Sequence, residues 1–160
     1  MKTTTSFISK SLIAVTFILF TVFVFSCKKN KTTTDNTPYT LSGNASGSQV
    51  VPSVTGNGTG TFSGTYNPAN QTMTYTTNWS NLTGAPTSGG FYTGASGAAG
   101  TAVGTPWTMG TDWTGTGTYS GTMQLTPEQA NQLIAGNWYY SMGTAANSGG
   151  EIRGQISATR

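Results

Sequence analysis

The chain has 160 residues and little charge, with seven Lys or Arg, four Asp or Glu and no His. Its formal net charge of +3 comes from the N-terminal part, because Arg153 and Arg160 are the only basic residues after Pro38. Two arginines cannot neutralise a row of phosphates, so we expect no nucleic-acid partner.

The N-terminus is typical of an exported protein. Lys2 and Lys10 precede an apolar run over 12–25, which is too short to span a bilayer and has the length of a signal-peptide core. The run ends in Phe25-Ser26-Cys27, and Cys27 is the only cysteine. This ending resembles a bacterial lipobox, in which the cysteine receives lipid. We predict lipidation of Cys27; an uncleaved anchor helix or ordinary cleavage nearby are the alternatives.

Three regions follow from this interpretation: a signal peptide over 1–26, a lipidated tether over 27–37 and one domain over 38–160. The tether is rich in Lys and Thr and cannot bury a core, which predicts a flexible segment. Lys28 directly after the cysteine, rather than Asp, resembles lipoproteins released to the outer membrane. We therefore predict an outer-membrane lipoprotein, periplasmic or surface-exposed, held to the membrane by its lipid.

Residues 38–160 alternate with period two. In 59–66 and 72–80, apolar residues or Gly alternate with Thr, Ser and Asn, which indicates strands buried on one face. The turn-forming residues over 67–70 predict that these strands form a hairpin. The middle section, 84–113, has little periodicity and predicts long loops with one or two irregular strands.

An internal repeat adds to this pattern. The segment 58–65 recurs as 115–122 with a single Phe-to-Tyr difference, and each copy is followed by an Asn-Trp pair, ending at Trp79 and Trp138. The repeat predicts two similarly placed strand pairs in one sandwich.

A short helix is predicted over about 127–135. Thr126 has the type and position of an N-cap, Pro127 suits the first helical position, and Gln129 completes a capping box. Gly136 is placed to end the helix.

The final strand has two distinct faces. Apolar residues or Gly alternate with polar residues, as follows: Ile152, Gly154 and Ile156 against Glu151, Arg153 and Gln155. The fold class predicted from all these runs is all-β, an antiparallel sandwich with one short helix.

A series of stretches carries a family resemblance: 41–43, 51–52, 58–61, 74–84, 125–127, 133–136 and 145–156. Their residues and order resemble the CHRD domain, which is named for chordin and also occurs in bacterial secreted proteins. The resemblance implies an immunoglobulin-like β-sandwich or barrel. Its most specific part, Gly-Gly-Glu-Ile-Arg-Gly-Gln-Ile, contains the predicted structural motif: Gly150, Glu151, Arg153, Gly154 and Gln155.

The resemblance also implies a difference in metal chemistry. CHRD domains often carry a His-x-His and a third His at positions that are Phe91, Thr93 and Gly143 in this chain. Without these histidines we predict no metal site and no cofactor. There is also no Ser-His or Cys-His pair and no recognisable acidic pair, so we predict a binding, adhesion or structural module that is not an enzyme.

Three roles are open for Arg153. It could pair with Glu151, it could contact a ligand, or it could lie under a loop and donate to backbone carbonyls, fixing the middle connection. We expect the last, structural role.

The aromatic residues suggest a ligand-binding alternative. Alternation predicts that Trp79 and Trp138 are buried, whereas Trp107 and Trp113 lie in loop-like sequence and are candidates for exposure. With Tyr139 they form a possible ligand-binding set, for which a carbohydrate is the alternative function. A less favoured alternative is that rows of Thr on the repeated strands bind ice.

Overall fold

The computed structural model describes residues 35–160, and an antiparallel sheet dominates it. The predicted signal peptide, Cys27 and most of the predicted tether lie outside the described residues. Within 35–160, no helix has the length and apolar character needed to cross a membrane.

Within residues 35–160 the fold consists of eight strands, one 3-10 turn and one helix. In chain order they are β1 (Tyr39–Ser46), the 3-10 turn (Gly47–Gln49), β2 (Thr59–Asn67), β3 (Thr72–Ser80), β4 (Pro86–Thr93), β5 (Ala102–Val103), β6 (Gly117–Gln124), α1 (Pro127–Ile134), β7 (Trp138–Thr144) and β8 (Ile152–Thr159).

All eight strands belong to one sheet with the order β5-β4-β7-β8-β1-β2-β3-β6, and every neighbouring pair is antiparallel. The sheet curls on itself, because Phe91 of β4 contacts Phe62 of β2 and Tyr75 of β3, with ring centroids 5.8 and 4.8 Å apart. The prediction of an antiparallel all-β fold with one short helix is confirmed. The prediction allowed a sandwich or a barrel, and the curled half-barrel is closer to a barrel.

The core lies inside the curl. Alternate residues of each strand supply it, so that Ile152 and Ile156 of β8 are fully buried beside Trp138 and Tyr140 of β7. Period two thus produces a continuous apolar inner surface, and burial of that surface is the main favourable term in folding.

The predicted hairpin is confirmed, since β2 pairs with β3 along its whole length. Asn67 and Asn70 accept hydrogen bonds from the backbone N–H groups of Ala69 and Thr72 in the turn, at 2.9 and 3.2 Å. Such Asx interactions satisfy turn amides that have no partner in the ladder.

The predicted helix is also confirmed and ends one residue early, at Ile134. The hydroxyl of Thr126 accepts from the backbone N–H of Gln129 (3.2 Å), whose side chain accepts from the backbone N–H of Thr126 (2.9 Å). Gly136 follows with φ of +74°, a conformation that suits glycine at a helix end.

The prediction that the two copies of the repeat form two similarly placed strand pairs is wrong. The two copies form most of β2 and β6, which lie on opposite sides of β3. The second Asn-Trp pair leads into β7, which pairs with β4 and β8. The reason is that α1 stands between β6 and β7 and packs against β8, so it carries the chain away from β6.

The middle section forms β4 and the two-residue β5, joined by a loop over 94–101 and followed by a second loop over 104–116. The register of β4 shifts between Pro86 and Ser88. This agrees with the predicted long loops and irregular strands.

Candidate functional site

Glu151 is a buried carboxylate directly before β8, with only 2% of its surface exposed. It accepts hydrogen bonds from the backbone N–H of Thr83 (2.7 Å), the Thr83 hydroxyl (2.6 Å) and the Thr144 hydroxyl (2.5 Å). The carboxylate therefore ties the loop after β3 to the end of β7.

These contacts also set the protonation of Glu151. Burial disfavours the charged form, but the hydrogen bonds from Thr144 and Thr83 together outweigh it, so the pKa of Glu151 lies below its ordinary value of 4.5. The group is ionised at neutral pH and suits a structural acceptor better than a general acid.

Arg153 and Gln155 lie on the outer side of β8, under the loop over 94–101. Arg153 Nη2 donates to the carbonyl of Ala95 at 2.8 Å. Gln155 Nε2 donates to the carbonyls of Gly94 and Gly136 at 2.8 and 2.7 Å. The hydrogen bond from Arg153 to a loop carbonyl is the contact expected from the sequence, and together the two side chains hold the loop against the sheet.

Glu151 and Arg153 do not pair with each other. The ion pair found in the described part of the chain joins Arg160 to Asp35. Arg153 instead lies with its guanidinium carbon 3.6 Å from the centre of the Tyr139 ring, a cation–π contact.

The glycines of the motif are required by close approach and by backbone conformation. A Cβ on Gly154 would lie 2.5 Å from the Tyr140 ring and 2.8 Å from the carbonyl of Asn44. Gly150 has φ of +129°, a conformation that residues with a side chain rarely adopt.

Tyr139 is buried, with 7% of its surface exposed. Its ring lies between the Tyr92 ring, 5.2 Å away and nearly parallel, and the guanidinium of Arg153. Its hydroxyl accepts from the backbone N–H of Gly100 at 3.1 Å. Tyr139 therefore belongs to the same loop-holding cluster as Arg153 and Gln155.

The expectation that Trp107 is exposed is wrong. Only 5% of its surface is exposed, its backbone N–H donates to the carbonyl of Gly89 at 2.9 Å, and its ring contacts Phe91 and Tyr119. The reason is that the half-barrel leaves a seam between β4 and β6, and the loop over 104–116 fills it with Trp107.

Trp113 is partly buried in the same region. Its ring lies 4.9 Å from that of Trp79 and 5.7 Å from that of Tyr119. Trp107 and Trp113 thus flank Tyr119, but Tyr139 lies on the outer side of β7, so the three predicted ligand-binding aromatics do not form one platform.

A different surface stands out on the outer side of β2, β3 and β6, which together contain no charged residue. Hydroxyl and amide side chains form rows across the three strands: Thr65–Thr74–Thr122, Ser63–Thr76–Ser120 and Thr61–Asn78–Thr118. We call these three rows the hydroxyl face. Because the two copies of the repeat have the same register on β3, equivalent residues stand at equal heights on its two sides.

The hydroxyl face is partly organised by its own hydrogen bonds. Hydroxyl oxygens are 2.9 Å apart between Thr65 and Thr74, and 2.8 Å apart between Thr76 and Ser120. A shallow trough of about 620 Å³ runs over these two rows. Neutral groups that both donate and accept hydrogen bonds therefore line an open surface.

The family model that matches this chain is the CHRD domain, and the match spans residues 41–156. The chain belongs to the CHRD domain family. No curated protein and no solved structure matches the chain significantly.

Membership of the CHRD family indicates a small binding-type domain. The motif from Gly150 to Gln155 lies inside the matched segment and forms the start of β8 with its preceding turn. In this CHRD domain, Glu151, Arg153 and Gln155 all contact loops of the same chain.

The three positions compared with CHRD histidines hold no imidazole here. Phe91 lies in the aromatic core, the Thr93 hydroxyl lies 3.0 Å from that of Thr101, and a Cβ on Gly143 would lie 2.6 Å from Ser88 Oγ. Among residues 35–160 no group of three or more His, Cys, Asp or Glu side chains is arranged to hold a metal ion.

Sequence reasoning missed two residues of these clusters, Thr83 and Tyr92. Thr83 holds Glu151 from a loop, and Tyr92 stacks on Tyr139 from β4. Thr83 lies directly before the middle section and Tyr92 lies within it. That section has little periodicity, so no pattern in the chain pointed to either residue.

Proposed function

We propose that this CHRD protein is a lipid-anchored, non-catalytic binding module of the cell envelope, and that the hydroxyl face is its binding surface. The observation that carries the proposal is the absence of any charged residue from β2, β3 and β6, together with the ordered rows on their outer side. The lipobox-like sequence ending at Cys27 supports the anchor.

The ligand that this surface fits best is a neutral polysaccharide. Neighbouring strands lie about 4.8 Å apart and side chains on one face repeat every 6.6 Å or so, which gives a regular array of hydroxyl groups. Sugar hydroxyls both donate and accept hydrogen bonds, as do Thr and Ser. The trough is open, so a polymer chain could lie across it, and it has no charge to be desolvated.

The hydroxyl face replaces the aromatic platform as the basis of the carbohydrate alternative. Trp107 is covered by the fold, so it offers no free ring face for sugar stacking. Adhesion to the neutral glycans of a matrix or cell wall is the corresponding biological role.

Co-sedimentation with insoluble cellulose, chitin and β-1,3-glucan tests the ligand class. The chain purified as Cys27→Ser, without lipid, should be retained by at least one of these polymers. A thermal-hysteresis assay on the same sample separates the ice-binding alternative: hysteresis without retention by any polymer would contradict the polysaccharide assignment.

The anchor has its own test. Cells given radiolabelled palmitate should label the wild-type chain, and Cys27→Ser should abolish the label. A label that persists in Cys27→Ser would contradict lipidation at this residue. Added protease on intact cells then distinguishes a surface-exposed domain, which is cleaved, from a periplasmic one, which is protected.

A further inference from the structure

A second cavity lies on the outer side of β4, β7 and β8, away from the hydroxyl face. Its volume is about 210 Å³, and its walls include Tyr92, Tyr139, Arg153, Val50 and Val51. The two tyrosine rings stack on each other, and Ser141, Gly100 and Gly149 also line the cavity, so its wall combines polar groups with aromatic and aliphatic ones.

Arg153 gives this cavity its charge. Only 3% of the residue is exposed, and it forms no ion pair within residues 35–160. The nearest acidic residue along the chain, Glu151, directs its carboxylate to Thr83 and Thr144. A cation removed from water without a counter-ion is costly.

The contacts of Arg153 with the protein use only part of its guanidinium. Nη2 donates to the carbonyl of Ala95 at 2.8 Å and makes a long contact of 3.4 Å with Gln155 Oε1. Nε and Nη1 have no hydrogen-bond partner among residues 35–160. Since a guanidinium has five N–H donors, most of its capacity is left for a ligand.

We propose that this cavity is a binding site for a small monocarboxylate, whose carboxyl group pairs with the free side of the Arg153 guanidinium. A planar guanidinium fork matches a carboxylate and binds it through two parallel hydrogen bonds. The site is separate from the hydroxyl face, so it adds a second ligand class to the proposed binding module.

Charge and size favour a monocarboxylate over a phosphate or a larger anion. Arg153 is the only charged residue in the wall, and one positive charge balances one negative charge. The volume is below the roughly 300 Å³ at which sites for drug-sized ligands begin. The tyrosine rings and valines in the lining suit a small apolar group beside the carboxylate. A free aromatic or branched acid and the C-terminal residue of a peptide share this chemistry.

Titration calorimetry with benzoate and its neutral analogue benzamide tests the proposal. Because hydrogen bonds to a charged group are the stronger ones, benzamide should bind about tenfold more weakly or worse. A tripeptide ending in Phe, with a free or an amidated C-terminus, distinguishes the sources: tighter binding of the free peptide than of benzoate points to chain ends, and the reverse to free acids. Equal binding of benzoate and benzamide would overturn the proposal. So would a failure of both benzoate and the free tripeptide to bind.

Substitutions locate the site. Arg153→Gln should abolish benzoate binding, but the variant could fail to fold because Arg153 holds a loop. Val51 provides a second test, since it lines the cavity and is 43% exposed. Val51→Asp should weaken benzoate binding about tenfold through like-charge repulsion, whereas Val51→Asn, of the same shape and neutral, should not. Equal benzoate affinity of these two variants, both with wild-type melting curves, would place the acid elsewhere and overturn the assignment.

Discussion

At the residue scale, the two charges of the C-terminal motif have separate partners. Glu151 holds the loop after β3 through Thr83, and Arg153 holds the loop after β4 through Ala95. Their spacing of two residues suggested a pair, but each side chain satisfies a different part of the fold. The motif therefore connects β8 to two loops that are distant in sequence.

Glu151→Gln should lower the free energy of unfolding at pH 7 by about 1–3 kcal/mol, because the carboxylate accepts hydrogen bonds that a neutral amide satisfies less well. The pKa of Glu151 is lowered by folding, so its stabilising contribution is complete above the ordinary value of 4.5 and is lost as pH falls through the folded pKa. Urea unfolding of wild type and Glu151→Gln between pH 3 and 7 should show a difference in the free energy of unfolding that narrows below pH 4.5. A difference independent of pH would contradict this role.

Arg153→Ala should lower the free energy of unfolding by about 2 kcal/mol, since it removes a charged hydrogen bond and a cation–π contact. Arg160→Ala is the matched control, because Arg160 pairs with Asp35 at the surface and its loss should change stability little. Thermal melting compares the two variants directly. An unchanged melting curve for Arg153→Ala would show that the loop is held by other contacts.

At the element scale, β8 is one of the most constrained strands. It lies between β7 and β1 near the middle of the sheet order, with its inner side in the core and its outer side under a loop. Gly154 lets the backbone of β1 and the Tyr140 ring approach it closely. This contact on both faces explains why the first part of β8, which contains Arg153, is buried.

Gly154→Ala should destabilise the domain by about 1–3 kcal/mol, because the added methyl group overlaps the backbone of Asn44 and the Tyr140 ring. Gly149→Ala is the control, since a Cβ there would meet nothing within 4 Å. Differential scanning calorimetry should show a melting point several degrees lower for the first variant and nearly unchanged for the second. Equal melting points would mean that β1 and β8 can move apart to accommodate the methyl group with little loss of stability.

The elements predicted from sequence were those with strong local signals. Period two identified β2 and β3, and the capping box at Thr126 identified α1, because both patterns are set by residues a few positions apart. The pairing of β6 with β3 joins residues 38 to 52 positions apart, and nothing local specifies it. The burial of Trp107 depends likewise on the seam between β4 and β6, which exists only once the sheet has curled.

At the scale of the whole molecule, the sheet order separates two outer surfaces. β2, β3 and β6 lie at one end of the order and carry the hydroxyl face, while β4, β7 and β8 lie towards the other end and carry the cavity beside Arg153. The inner surface of both halves is the shared aromatic core. A polymer and a small acid would therefore bind to different sides of one small domain.

The hydroxyl face is tested most directly by placing a charge at its centre. Thr76→Glu puts a carboxylate in the middle row, and Ser157→Glu puts one at an exposed position of β8 outside the face. Both variants, with folding verified by their melting curves, are compared with wild type in co-sedimentation with the polysaccharide that wild type binds. We predict that Thr76→Glu loses most of its retention and that Ser157→Glu keeps it. Equal retention of the two variants would contradict the assignment of the hydroxyl face as the binding surface.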